Sequence, residues 1–141
     1  MKRLLLALFV AFIAWQRGNA ADLPTVTIDH LYYLFTRGEI VRRLDADEMI
    51  DYCVAQKIGG RAFEDLYAQV FAMKIGIMKL RKLEKVNDND PRLVALLESH
   101  AEHSKLLEEE AKRVQKGLER EGRIANDTLV SIAKVQAQQP Q

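Results

Sequence analysis

Asn87-Asp88-Asn89-Asp90-Pro91 is the sharpest punctuation in the chain, and it separates two long apolar seams. Upstream, Phe63, Leu66, Val70, Met73, Ile77 and Leu80 recur in alternating steps of three and four. Downstream, Leu93, Leu97, His100, Ser104, Leu107, Ala111, Val114 and Leu118 repeat in the same way. That period belongs to helices, and a seam of this kind marks a helix packed lengthwise on a near-antiparallel neighbour. The short connection makes the two helices each other's neighbours. Asp90 suits the cap of the second helix and Pro91 its first turn, where a missing N–H costs nothing. The chain is thus expected to fold on a helical hairpin, Arg61 to about Val86 and Pro91 to about Gly122.

Tyr67, Phe71, Ile75 and Met78 widen the first seam around much of the helix, which reads as a central element covered on most sides. In the first half of the chain, Ile28, Leu31, Tyr32 and Phe35 share helical spacing behind a cap at Thr27, and Gly38 is expected to end or bend that helix. Ile40, Val41 and Leu44 continue a short apolar face. Asp45 and Glu48 stand at capping-box spacing, opening a short helix that Gly59 and Gly60 should stop. Near the other end, Gly122 or Asn126-Asp127 is the expected break, followed by a last short helix on Leu129, Ile132 and Ala133. No strand pattern competes. The expected fold class is all-α: a small helical bundle on a long antiparallel hairpin, with shorter N-terminal helices packed across it. One domain is expected over residues 21–135, with a disordered polar tail over 136–141.

Residues 1–20 read as a secretory signal. Lys2 and Arg3 precede twelve unbroken apolar residues, Leu4 to Trp15, and Gly18-Asn19-Ala20 supplies small residues for cleavage after Ala20. Twelve helical residues span about 18 Å, well short of a bilayer core. The mature protein is therefore expected to be periplasmic or secreted, meeting a membrane only through this segment if it stays uncleaved. Cleavage takes the basic count from 21 to 18 against 20 acids, a formal charge of −2. Cys53 is the only cysteine, so no intramolecular disulfide can form; with Met49, Ile50 and Val54 it lies on an apolar stripe and is expected to be buried.

At 141 residues with 48% hydrophobic content, the chain has room for one ordinary domain and not for a multidomain enzyme. Its near-neutral balance argues against a dedicated nucleic-acid binder, which carries a basic excess. No phosphate loop, HExxH, CxxC or GxSxG occurs, so no catalytic residue and no cofactor is assigned. His100 and His103, three residues apart, share a helical face and are the candidate metal ligands, with His30 as a possible third; hydrogen bonding in a polar notch with Ser104 is the simpler role. Asp45, Asp47, Glu48 and Asp51 crowd a helix start without the glycine and ligand spacing of a calcium loop, so capping explains them. Asn126-Asp127-Thr128 is a sequon that matters only in a eukaryotic secretory pathway. Lys79, Arg81, Lys82 and Lys85 complement a helix C-terminus.

These features point to an exported helical protein that binds another protein or itself, as an assembly component, adaptor or inhibitor in the cell envelope. The rival is a small helical enzyme or a metal binder using His100 and His103. The first-half helices are expected to leave part of the hairpin open, and Leu96, Leu106, Leu118, Ile124 and Leu129 are the expected apolar anchors for a partner.

Overall fold

The computed structural model describes residues 25–139. The signal reading over residues 1–20 and the last two residues of the expected tail lie outside them. Four helices follow in order: α1 (Thr25–Arg42), α2 (Ala46–Gln56), α3 (Gly60–Met78) and α4 (Pro91–Gln138), with a π-helical turn, Lys79–Leu83, closing α3. No strand occurs among the described residues, and α4 packs against α1, α2 and α3. None of these helices is long and apolar enough to cross a membrane. The chain divides into two compact units, one of residues 44–115 and one that joins α1 to the part of α4 from Lys116 onward.

The first unit contains the hairpin. α2 opens with the expected capping box: the Asp45 carboxylate accepts from the Glu48 N–H at 2.8 Å and Glu48 accepts from the Asp45 N–H at 3.0 Å. Met49, Ile50 and Cys53 are buried, as their stripe requires. The helix stops before the two glycines, because Lys57 takes the left-handed conformation (φ 55°) and its N–H closes the last turn. The glycines serve the next entry instead, with φ of 102° at Gly59 and 75° at Gly60. Phe63 is the deepest side chain of α3, and Leu66, Val70, Met73, Ile77 and Leu80 line the inner face behind it. A Cβ on Gly76 would lie 2.9 Å from Leu96 Cδ2, so the two arms of the hairpin pack tightly there. Leu93, Leu107 and Ala111 complete the core from α4, and Gln115 donates to the Leu44 carbonyl at 2.9 Å.

α3 was expected to continue as α-helix to about Val86. It widens instead at Lys79, where the Glu84 N–H reaches the Lys79 carbonyl and the Val86 N–H reaches the Leu80 carbonyl. Wider turns satisfy carbonyls that a helix end would otherwise leave without donors. Asp90 then caps α4: its carboxylate accepts from the Arg92 N–H at 2.9 Å and pairs with the Arg92 guanidinium at 3.1 Å.

In the second unit neither glycine breaks its helix, which corrects the expectation at Gly38 and Gly122. The two face each other, and a Cβ on either would lie 3.0 Å from the other's Cα. They are packing residues that let the backbones of α1 and α4 approach. Asn126 and Asp127 also lie within α4, where the Thr128 hydroxyl donates to the Ile124 carbonyl and Ser131 to that of Asp127. No separate last helix exists, and α4 continues to Gln138, three residues into the stretch expected as tail. Thr27, expected as a cap, is inside α1. Leu31, Val41, Leu118 and Ala125 form this unit's core.

Along α4 the inner positions run Leu107, Ala111, Val114, Leu118, Gly122 and Ala125, with one doubled step of four around Leu118.

Candidate functional site

The five expected anchors do not form one open strip. Leu96 is half-buried against Gly76, and Ile124 and Leu129 are half-buried in the other unit. Leu118 is only 6% exposed, because α1 covers the part of α4 that was expected to stay bare. Leu106 alone is open, at 50%.

His100 and His103 are both half-buried. His103 Nδ1 lies 2.8 Å from the Ser99 carbonyl oxygen, which can only accept, so the ring nitrogen donates in that contact. Among the described residues no group of three His, Cys, Asp or Glu side chains gathers to hold a metal ion. His30 stacks on Tyr33 within α1, at 6.2 Å between ring centres, and the Arg37 guanidinium lies over the same ring. Arg37 also pairs with Glu121 at 2.7 Å, with both groups largely covered. Burial pushes the Cys53 thiol above its ordinary pKa, which disfavours the thiolate a nucleophile needs. Asp45 and Glu48 are engaged in the capping box.

A groove of about 350 Å³ follows the contact of α1 with α4, with Gly38 and Gly122 at its base. Its rim mixes Glu39, Arg42, Glu119, Arg123 and Asp127, and Glu39 already pairs with Arg42 at 2.9 Å. Opposite charges alternate around it, so neither an anion nor a cation finds a convergent set of partners.

The outward face of α3 is different. Phe71, Ile75 and Met78 are 53%, 46% and 49% exposed and stand four and three residues apart, in one line. Ala68 continues the line toward the N-terminus, and Glu64 ends it. At the other end stand Lys79, Arg81 and Lys82, all exposed, with Leu83 77% exposed beside them. Tyr67 stacks on Phe71 at 6.4 Å and holds that ring in place. No family model, curated protein or solved structure matches this chain.

The reading of α3 as a central helix is thereby corrected. Its inner face packs in the hairpin, while the residues that widen the seam are directed outward. Hydrophobicity around a helix shows that a face wants cover without showing whether this chain supplies it. The useful signal was the line from Glu64 to Lys82 itself, apolar in the middle and oppositely charged at its ends.

Proposed function

We propose that this protein is an exported helical interaction module, periplasmic or secreted after cleavage near Ala20, which binds a protein surface through the outward face of α3. One observation carries the reading: three large apolar side chains, Phe71, Ile75 and Met78, stand half-exposed in a row on a helix whose other face is packed. Isolated exposed apolar residues are ordinary, but a contiguous row is characteristic of binding surfaces. Helix-in-groove and helix-on-helix recognition use anchors at this spacing. Export is supported by the basic start, the twelve-residue apolar run and the small residues before Ala21.

The test places a photoreactive residue at Phe71 or Ile75 on α3, and as a control at Glu102 or Glu109, both exposed on α4. Crosslinks in native envelope at the α3 positions, abolished by Met78→Ser and absent from the controls, are the expected result. Equal crosslinking from both sets would remove the basis for assigning the function to α3.

A further inference from the structure

The following rests on that reading and names the partner. We propose that the outward face of α3 pairs with the same face of a second copy, antiparallel, about a twofold axis that passes between Phe71 and Ile75. Glu64, Ala68, Phe71, Ile75, Met78 and Lys82 follow one another in steps of four and three, and all are exposed. Reversing this line on itself opposes Phe71 to Ile75, Ala68 to Met78 and Glu64 to Lys82. Phe71 meets the smaller Ile75 and Met78 the smaller Ala68, and each charged end meets its opposite. A parallel pairing would set acid on acid and base on base, so charge selects the antiparallel arrangement.

The π turn rotates Lys82 somewhat off the line, yet its long flexible stem and the adjacent Lys79 keep the basic end within reach of Glu64. An interface of this kind is isologous: each contact occurs twice, which is the commonest way for a chain to self-associate. The line from Glu64 to Lys82 is about 27 Å long. A contact of that length between two helices falls at the low end of specific interfaces, so the dimer is expected to be reversible and about micromolar in strength. A membrane surface suits the line less well, because an anionic bilayer would repel Glu64 and Asp65.

The experiment is sedimentation equilibrium on the mature chain over a concentration series, with circular dichroism confirming the fold of each variant. The wild type should pass from monomer to dimer, and Phe71→Ser combined with Met78→Ser should stay monomeric. Glu64→Lys should weaken the dimer about tenfold, since it breaks two symmetric pairs and adds repulsion. Glu64→Lys together with Lys82→Glu should restore it, a rescue that a purely structural role would not produce. A monomer at every concentration overturns the self-pairing. So does a dimer indifferent to both the serine and the charge variants, or a monomer that binds anionic vesicles through α3. If the chain is monomeric while the photoreactive Phe71 position still captures a different protein in a Met78-dependent way, self-pairing fails and the interaction reading stands. If neither occurs, both fail.

Discussion

Gly117 and Gly122 lie on the same helix, and substitution should affect them in opposite ways. Nothing lies within 4 Å of a Cβ added at Gly117, whereas one at Gly122 meets the Gly38 Cα at 3.0 Å and the Leu34 carbonyl oxygen at 3.1 Å. Glycine costs a helix interior about 0.5–1 kcal/mol relative to alanine, so Gly117→Ala should stabilise the protein by about that amount. Gly122→Ala gains the same propensity but forces two backbones apart, and should be destabilising. Denaturant melts decide, and a stabilising Gly122→Ala would show that α1 does not sit closely on α4. The same two residues mark a limit of the sequence. Gly38 and Gly122 read as breaks because a glycine's propensity is local, while its use as a crossing point depends on a partner remote in the chain. Asp90 gives a second test at this scale. The Arg92 guanidinium and backbone N–H hold its carboxyl below the usual carboxylate range. Its contribution to stability is complete above the ordinary carboxylate pKa and is lost as pH falls through the lower native value. Melting temperatures of wild type and Asp90→Asn should therefore converge in acid, since asparagine keeps the cap without the charge. Curves that stay parallel through the acid range would mean that Asp90 and Arg92 do not interact in solution.

Among the elements, α4 offers adjacent leucines with opposite surroundings. Leu107 is 3% exposed and Leu106 50%. Leu107→Ala should cost about 2–5 kcal/mol, and Leu106→Ala no more than about 0.5 kcal/mol. Similar losses at both positions would mean that the register of α4 is wrong. At the start of α2, Asp45→Ala should cost about 1 kcal/mol, because it removes one half of a reciprocal cap. The hairpin was legible because a long seam in steps of three and four has few other solutions, and the capping box because both partners lie within four residues. Helix ends were less so. Lys57 adopts a left-handed cap that nothing in its chemistry favours over the nearby glycines, and the π turn after Met78 depends on which carbonyls need donors. The continuity of α4 past Gly122 was not legible, because the glycine that reads locally as a break is the point where α1 comes close. The candidate site was only partly legible: Phe71, Ile75 and Met78 read as a widening of the inner seam on a covered helix, because whether that face is covered depends on the tertiary arrangement.

At the scale of the whole molecule, a chain of this size with a single cysteine can form no intramolecular disulfide and must be held by packing alone. Small exported domains commonly rely on cross-links, because a core of limited size contributes little beyond the entropy it must offset. Here the only cysteine, Cys53, is fully buried in the core of its unit, with its thiol pKa raised by that burial. It is kept from oxidants and from a second Cys53 in another copy. The purified protein should therefore melt at the same temperature with and without reductant, and should run as the same species on gels in both conditions. Labelling with a thiol reagent sharpens the test, since a buried thiol reacts only through opening of the structure. Native protein should react far more slowly than unfolded protein, and Leu93→Ala, which weakens the core of the same unit, should speed the reaction in proportion to its loss of stability. Fast labelling of the native wild type, or a melting temperature lowered by reductant, would show that Cys53 is accessible and that a bridge to another molecule contributes to stability in place of packing.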